Sequence, residues 1–380
     1  MSVSRRRFVQ LLGAGSAASL VAPGIVGRGL EARMSRPRDL RGPAEGAIRL
    51  DSNENPNGAD RAALDAIVAA LSVANRYPDD AAMELRKAIA AAQQVELANI
   101  ALGCGSTDIL RACVQAYTSP TRHLVTAAPT YEAPGREAKI LGHPAREVPV
   151  RGDLRLDLDA MAEAARGAGL VYVCNPNNPT ATVHGKAAID RFVDQVLGHT
   201  PDCAVLLDEA YHEYVDDPSY ATAIPVALAN PRVIVARTFS KVHGLAGVRV
   251  GYAVAHRDAI AVVDPRTLDI GINVLGAVAA RTSLGVAGRI GRETSLNRAA
   301  RDFTLRFFGD AGYVPTPSQA NFVMVDIKRD VKAFRQACRA RGVLIGRPFP
   351  PLTTHARVSI GTMDEMQRAT AVFRELFTTG

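Results

Sequence analysis

The sequence predicts an α/β protein whose mostly parallel sheet is covered by helices on both faces. Apolar runs of strand length recur along the middle of the chain, at residues 100–102, 123–126, 170–174, 204–207, 233–236 and 250–255. Amphipathic stretches, such as residues 109–116 and 187–197, separate some of these runs. Runs that are apolar throughout are typical of strands buried on both faces, and such sheets gather functional residues at the carboxyl ends of their strands.

The flanking segments predict the remaining organisation. Residues 48–58 are polar and rich in turn formers, so they are expected to be extended. Helices are expected at residues 60–71, where Asp60 would be the cap, and at 81–94, with a break at 76–78 between them. Toward the C-terminus a small α+β domain is expected, with helices at 293–308, 331–341 and 364–377 and strands at 321–327, 343–345 and 357–360.

These elements divide the chain into four expected segments. They are a leader at residues 1–33, an arm at 34–59, a large domain at 60–284 and a small C-terminal domain at 285–380. A chain of 380 residues exceeds one typical core, which agrees with one large and one smaller domain.

The composition excludes several classes of function. The net charge of +7 is modest and the arginines are dispersed, so we expect no nucleic-acid binding. The five cysteines are odd in number and form no C-x-x-C pair, which disfavours both a disulfide framework and a metal site. They are Cys104, Cys113, Cys174, Cys203 and Cys338.

The N-terminus has the layout of an export signal. Arg5, Arg6 and Arg7 precede a mildly apolar stretch at residues 11–26, which is too short and too broken by alanine and glycine to predict a membrane span. The paired arginines resemble a twin-arginine signal, which would carry the folded protein to the periplasm. The alternatives are a disordered basic leader, or translation that begins at Met34, and either would leave the protein in the cytoplasm.

One lysine stands at a position suited to covalent chemistry. Lys241 follows the apolar run 233–236, and a lysine desolvated at a strand end has a more nucleophilic amine that can condense with an aldehyde. Thr238, Ser240 and Arg249 can donate hydrogen bonds to a phosphate. An aldehyde and a phosphate on one small molecule describe pyridoxal phosphate. Taken alone, the stretch is also compatible with a surface Lys–Arg loop.

Companion motifs occur where other strands should end. Ser106 and Thr107 open a predicted helix after a glycine turn, which is a suitable place for a phosphate. Asn178 lies in a loop stiffened by two prolines, and Asp208 ends a buried strand, where a protonated pyridine nitrogen would be its partner. Tyr131 could stack on a flat ring. Each also has an ordinary structural interpretation: a simple turn, a helix cap or a core tyrosine.

Together these motifs resemble a known family. NPNNPT, DEAY and SKVHGLAGVRVGY, in that order, resemble the fold type I (aspartate-aminotransferase-like) pyridoxal-phosphate enzymes. SNENPNG, RYP and RVSIGT narrow the resemblance to histidinol-phosphate aminotransferase and its relatives. The resemblance extends from about residue 49 to the C-terminus. It implies a mostly parallel seven-stranded sheet sandwiched by helices, a homodimer, and amino transfer between an amino acid or histidinol-phosphate-like amine and a 2-keto acid.

The resemblance also implies roles for individual residues. Lys241 would bind the cofactor covalently, Asp208 would pair with its ring nitrogen, and Asn178 and Tyr211 would bind its phenolate oxygen. Tyr131 would stack on the ring. The phosphate would be held by Ser106, Thr107, Thr238, Ser240 and Arg249. Lys241, Asp208 and Tyr211 would thus be the catalytic residues.

The remaining implied roles concern the substrate and the partner subunit. Arg357 would bind the substrate's carboxylate or its equivalent, Arg347 is a possible second cation, and Asn53 would line the substrate side. Tyr77 would reach the phosphate in the partner subunit. The chain departs from the family at Ala181, where NPNNPTG becomes NPNNPTA, so that the loop is expected to bend differently.

Two alternatives to amino transfer remain open at this level. A lyase on the same scaffold, such as threonine-phosphate decarboxylase, carries similar motifs and differs in which substrate bond lies perpendicular to the ring. A non-catalytic binding protein would need a lost lysine or an added binding module, and the sequence has neither.

Overall fold

The computed structural model describes residues 46–378, so the leader predicted at residues 1–33 lies outside the described residues. The strands are β1 (Ile48–Leu50), β2 (Ile100–Cys104), β3 (Leu124–Ala128), β4 (Ala145–Pro149), β5 (Leu170–Cys174), β6 (Ala204–Asp208), β7 (Val233–Thr238), β8 (Val250–Ala255), β9 (Phe322–Asp326), β10 (Val343–Ile345) and β11 (His355–Ser359).

The helices begin and end close to the predicted positions wherever a prediction was made. They are α1 (Arg61–Ala70), α2 (Asp79–Gln93), α3 (Ser106–Tyr117), α4 (Ala133–Ile140), α5 (Leu158–Ala164), α6 (Lys186–His199), α7 (Ile224–Ala229), α8 (Arg257–Val263), α9 (Val274–Leu284), α10 (Arg289–Asp310), α11 (Val331–Ala340) and α12 (Met363–Thr378). Asp60 caps α1 as predicted, because its side chain accepts a hydrogen bond from the amide of Ala62. Among residues 46–378, no helix is both long and apolar enough to span a membrane.

A seven-stranded sheet forms the centre of the fold, with strand order β2-β8-β7-β6-β5-β3-β4. Only β8 runs antiparallel to its neighbours β2 and β7; the other pairings are parallel. The carboxyl ends of β5, β6 and β7 therefore meet at one edge. Because β8 runs the other way, its first residues join that edge, with Gly251 opposite Thr238.

Both faces of the sheet are covered, as the continuous apolar runs predicted. Val205 and Leu207 of β6 pack into one apolar cluster, whereas Leu206 between them packs into another on the opposite face. The edge strand β4 was not anticipated. Its sequence is AREVP and most of it is exposed, so it lacks the apolar signature of a buried strand.

The C-terminal elements pack around a third apolar cluster. It contains Phe307, Phe308, Phe334 and Phe373, and the antiparallel pair β9–β11 contributes residues to it. The arm predicted to be extended contributes as well, because β1 pairs in parallel with β10. The arm is thereby fixed next to the loop that follows β10.

Candidate active site

A cavity of about 450 Å³ lies at the edge where the strands of the large sheet end. Tyr77 is the one predicted site residue outside its lining, and it is 78% exposed. The predicted residues that line it are Asn53, Ser106, Thr107, Tyr131, Asn178, Asp208, Tyr211, Thr238, Ser240, Lys241, Arg249, Arg347 and Arg357. Residues scattered over three hundred positions of sequence thus face one space.

Lys241 lies three residues beyond the end of β7. Its Nζ donates a hydrogen bond to the carbonyl oxygen of Asn53 at 3.0 Å and lies 5.6 Å from the ring centre of Tyr211. Removal from water, and then the positive charge of Arg357, lower the pKa of Lys241 to about 8. A sizeable fraction of this amine is therefore neutral near neutral pH, which is the form that attacks an aldehyde.

Asp208 is the last residue of β6 and is only 2% exposed. Its Oδ1 accepts a hydrogen bond from the amide of Ala210 at 3.1 Å, and its Oδ2 accepts one from the hydroxyl of Tyr172 at 2.9 Å. Burial raises the pKa of Asp208 to about 6, although both hydrogen bonds oppose that shift. Within residues 46–378 the carboxylate has no ion-pair partner, so a cation is the group that this position lacks.

Hydroxyl and guanidinium donors cluster beside the first turn of α3. The hydroxyl of Thr238 donates to Ser240 Oγ at 2.9 Å, and Arg249 Nη1 lies 3.4 Å from the same oxygen. Thr107 Oγ1 lies 3.1 Å from the hydroxyl of Tyr131. Helix α3 begins at Ser106, so its free amides add to this anion-binding environment.

Two glycines allow this cluster to close. A Cβ on Gly105 would lie 2.2 Å from Arg249 Nη2, and Gly105 also has a φ of 74°. A Cβ on Gly251 would lie 2.1 Å from the amide nitrogen of Ser106. Side chains at either position would displace the arginine or the helix start, so both positions require glycine.

Asn53 connects the arm to the site more directly than the sequence suggested. Its Nδ2 donates to the hydroxyl of Tyr211 at 3.2 Å, and its Oδ1 accepts from the hydroxyl of Ser359 at 2.8 Å. Burial raises the pKa of Tyr211, so its phenol stays protonated and can donate a hydrogen bond. Asn53 therefore positions both Tyr211 and, through its carbonyl oxygen, Lys241.

Arg357 is a buried guanidinium whose hydrogen bonds go to neutral acceptors. Its Nη1 donates to Asn178 Oδ1 at 2.7 Å and its Nη2 to the carbonyl oxygen of Asp51 at 2.6 Å, whereas its Nε has no hydrogen-bond partner. Burial lowers the pKa of Arg357 to about 10. Within residues 46–378 no carboxylate lies within ion-pair distance of it, and it lines the same cavity as Lys241.

The mouth of the cavity carries a second arginine of a different kind. Arg347 is about half exposed, and its Nη2 donates to Glu132 at 2.6 Å. Its guanidinium lies 4.4 Å from the ring centre of Phe349, and Arg357 lies 4.8 Å from the same ring. The aromatic ring thus separates a paired, solvated arginine from an unpaired, buried one.

Ala181 occupies the position where the resembling family has glycine. Its φ is 62°, which is the left-handed conformation that a glycine would adopt without strain. Its amide donates to the carbonyl oxygen of Asn177 at 2.7 Å. The left-handed turn is therefore kept despite the added methyl group, and Asn178 still faces the cavity.

Sequence reasoning missed several side chains of the site. The sequence predicts Tyr172 only as part of an apolar strand. A buried tyrosine hydroxyl requires a hydrogen-bond partner, and that requirement could have identified it. Cys174, Glu132, Arg136 and Phe349 also line the cavity. Cys174 directly precedes the NPNNPT motif and Glu132 directly follows Tyr131, whereas no motif marks Arg136 and Phe349.

A buried lysine with a lowered pKa, a buried carboxylate and a cluster of phosphate donors, arranged at the carboxyl edge of this sheet, define a pyridoxal-phosphate enzyme of the aspartate-aminotransferase-like fold. More specifically, the chain belongs to the family "Aminotransferase class I and II", whose model matches residues 45–373. The protein is therefore a pyridoxal-phosphate-dependent aminotransferase.

Individual relatives agree with this assignment. The chain is 37% identical over 334 residues to histidinol-phosphate aminotransferase of Moorella thermoacetica, covering 87% of this chain and 85% of the relative. It is also 37% identical to an aromatic amino acid aminotransferase of Nocardia farcinica, covering 84% and 89%. The solved structure of histidinol-phosphate aminotransferase from Sinorhizobium meliloti in complex with pyridoxal-5'-phosphate superposes with a TM-score of 0.80 at 29% identity, covering 88% of this chain and 91% of that chain.

Proposed function

We propose that this aminotransferase takes the amino group of a donor that carries a carboxylate or a phosphate, either an aromatic L-amino acid or histidinol phosphate, and passes it to a 2-keto acid. The supporting observation is the unpaired, buried guanidinium of Arg357 in the cavity of Lys241. A cation that is removed from water and has no protein anion selects an anionic ligand. The relatives named for both substrate classes support the two alternatives equally.

The residues of the cavity fit pyridoxal phosphate, and we assign their roles accordingly. Lys241 supplies the amine for the aldehyde group, and Asp208 supplies the buried anion that a protonated ring nitrogen needs. Asn178 and Tyr211 would bind the phenolate oxygen, and Tyr131 would stack on the ring. The phosphate is assigned to Ser106, Thr107, Thr238, Ser240 and Arg249. When bound, the cofactor supplies an electron-withdrawing ring that takes up the electron pair released at the substrate's reacting carbon.

The chemistry left to the protein is binding and proton transfer. Arg357 holds the anionic group of the donor, and Asn53 holds the Tyr211 phenol in place by its 3.2 Å hydrogen bond. The amine of Lys241 would hold and move the proton at the donor's reacting carbon. The lowered pKa of Lys241 suits this role, because the amine must accept a proton as well as return it.

We also propose that the enzyme is a homodimer in which Tyr77 reaches the cofactor phosphate of the partner subunit. Leu64, Val68 and Leu71 follow one another at helical spacing and are 46%, 66% and 55% exposed, so they form an apolar stripe that water would disfavour. Tyr77 follows this stripe and is 78% exposed. A measured molar mass of one chain, or unchanged cofactor affinity in Tyr77→Phe, would contradict this proposal.

Two further proposals concern the ends of the chain. Residues 60–284 and 285–380 are proposed as the large and small domains, which is supported by the separate apolar cluster around Phe308.

Export is proposed from the leader, with the twin arginines as the signal. Replacing Arg5, Arg6 and Arg7 by lysine should retain a periplasmic fraction in the cytoplasm, whereas a wild-type protein that never leaves the cytoplasm would refute export.

Matched pairs of donors test the proposed substrate class. Histidinol phosphate is compared with histidinol, and L-phenylalanine with phenethylamine, each with 2-oxoglutarate as acceptor. The anionic member of at least one pair should be used on the order of a hundredfold more efficiently, because only that member can pair with Arg357. Equal use within both pairs would contradict the proposal. Release of CO2 without formation of pyridoxamine phosphate would indicate a lyase.

A further inference from the structure

Tyr172 occupies a position where packing alone needs no hydroxyl. It lies in the middle of β5, is fully buried, and is surrounded by the apolar cluster that also contains Leu170 and Leu206. A phenylalanine would fill the same space, and a buried hydroxyl costs free energy unless it has a partner. Its hydroxyl donates one hydrogen bond, at 2.9 Å, and the acceptor is Asp208 Oδ2.

This hydrogen bond connects two neighbouring strands at the depth of the site. Cys174, two residues further along β5, lies directly opposite Asp208 in the sheet register and lines the cavity. Tyr172 lies on the same face one step deeper, opposite Leu206. The Tyr172 hydroxyl therefore binds the carboxylate from within the sheet, and Tyr172 is not among the residues that line the cavity.

The charges around the pair explain why a hydroxyl is suitable there. The other titratable groups that interact with Asp208 are Lys241, Glu209, Tyr211 and Cys174, and Cys174 also lies next to Tyr172. Burial, and then the negative charge of Asp208, hold the pKa of Tyr172 well above its usual value, so the phenol remains a neutral donor. A neutral donor stabilises the carboxylate without cancelling its charge, which a lysine or an arginine in that place would do.

We propose that Tyr172 is a positioning residue that orients the Asp208 carboxylate and keeps it ionised for the ring nitrogen of pyridoxal phosphate. This inference rests on the proposed role of Asp208. Without the tyrosine donor the carboxylate is more basic and freer to rotate. It would therefore take a larger share of the proton on the ring nitrogen, and the ring would be less positive. Tyr172 thus acts on the cofactor through Asp208 and touches neither cofactor nor substrate.

The test compares Tyr172→Phe with a matched control, Tyr117→Phe. Tyr117 is also a buried tyrosine of the same apolar cluster, but its hydroxyl makes no hydrogen bond to Asp208. A cooperative thermal transition of each variant without cofactor establishes that both fold. The affinity of each variant is then measured for pyridoxal phosphate and for 1-deazapyridoxal phosphate, in which carbon replaces the ring nitrogen.

Tyr172→Phe should weaken the binding of pyridoxal phosphate by about tenfold, the size expected for one hydrogen bond to a charged group. Binding of the deaza compound should change less than twofold, since it has no ring nitrogen for Asp208 to serve. The pH midpoint of the bound cofactor's visible absorbance should rise by roughly half a unit, because a less positive ring withdraws less charge from its bond to Lys241. Tyr117→Phe should show none of these changes.

Equal losses for the two cofactors, or an unmoved absorbance midpoint, would overturn the inference and leave Tyr172 as a packing residue. A double-mutant cycle adds a second criterion. In an Asp208→Asn background, Tyr172→Phe should have no further effect on pyridoxal phosphate affinity, because the group through which it acts is gone. If Asp208→Asn itself changes nothing, the proposed role of Asp208 fails. If Asp208→Asn weakens cofactor binding but Tyr172→Phe changes neither the affinity nor the absorbance midpoint, only the proposed role of Tyr172 fails.

Discussion

The proposed cofactor side and the proposed substrate side of the cavity are built in different ways. On the proposed cofactor side, Asp208 and Thr238 are the last residues of two strands of one sheet, and Ser106 lies two residues beyond the end of a third, so backbone hydrogen bonding fixes their spacing. On the substrate side, Arg347 and Arg357 come from the loop after β10 and from β11, outside the large sheet. The arm then supplies Asn53.

The two sides also differ in what their charged groups lack. Among residues 46–378, Asp208 is a buried carboxylate without an ion-pair partner, and Arg357 is a buried guanidinium without one. The proposed ligands supply the missing charges, a protonated ring on one side and the donor's anion on the other. A cofactor that stays bound would be held by the edge of one sheet, whereas the alternating substrates would meet residues from elements outside that sheet.

The first variant, Lys241→Ala, removes the one group that serves both sides. Turnover should fall by a factor on the order of 10⁴ or more, because no other amine in the cavity can carry the proton. The absorbance of cofactor trapped on lysine by borohydride should also disappear. Lys328→Ala, on the exposed surface, is the control and should keep both signals. Trapping on another lysine in Lys241→Ala would contradict the assignment.

Asp208→Asn tests the cofactor side alone. The amide is isosteric but cannot hold a proton on the ring nitrogen, so kcat should fall on the order of a thousandfold while cofactor is retained. Single-turnover absorbance measurements separate this chemical step from substrate binding. Asp159→Asn, an exposed first-turn residue of α5, should behave as wild type. Turnover near the wild-type rate in folded Asp208→Asn would refute the role.

Arg357→Ala tests the substrate side alone. Leaving the donor's anion unpaired should cost about 3 kcal/mol, or somewhat more than a hundredfold in kcat/KM, for amino and keto acids alike. Cofactor absorbance should remain, since Arg357 is not assigned to the cofactor phosphate. Arg347→Ala should cost less than about 1 kcal/mol, because that arginine is solvated and already paired with Glu132. Loss of cofactor in Arg357→Ala would mean that this arginine binds the cofactor, which would contradict its assignment to the substrate.

The pH dependence of cofactor capture probes Lys241 in the protein without cofactor. A lysine amine is nucleophilic only when neutral, and its neutral fraction grows as pH rises through its pKa, here lowered to about 8. The rate of covalent capture should therefore rise about tenfold from pH 7 to pH 9. Binding of 4'-deoxypyridoxine phosphate, which has no aldehyde, should lack this rise. A flat capture rate over the same range would contradict the lowered pKa.

The cofactor side was predictable from sequence because its residues follow apolar runs. Lys241, Asp208 and Asn178 each stand within a few residues of a strand end, where a short motif marks them. Phe349 could not be predicted, since nothing local connects it to Arg357. The hydrogen bond from Asn53 to Tyr211 likewise joins residues 158 positions apart, so only the folded chain reveals it.

The smallest expected effect belongs to Ala181, which lies three residues after Asn178 in the same loop. Ala181→Gly relieves a left-handed conformation that costs alanine about 1–2 kcal/mol. It also removes a buried methyl group from the cluster around Tyr211 and Phe322, and it gives the unfolded chain more backbone entropy. Together these two effects destabilise the folded protein by about as much as the relieved conformation stabilises it. The free energy of unfolding should therefore change by less than about 1 kcal/mol, and turnover by less than twofold.

Ala210→Gly supplies the matched control for this prediction. Ala210 belongs to the same cluster, but its φ is negative, so its replacement loses a methyl group without relieving strain. It should be destabilised by roughly 1 kcal/mol more than Ala181→Gly in chemical denaturation. Equal destabilisation of the two variants would mean that the left-handed conformation of Ala181 stores no strain. In that case the alanine in NPNNPTA would be as well suited to this loop as glycine.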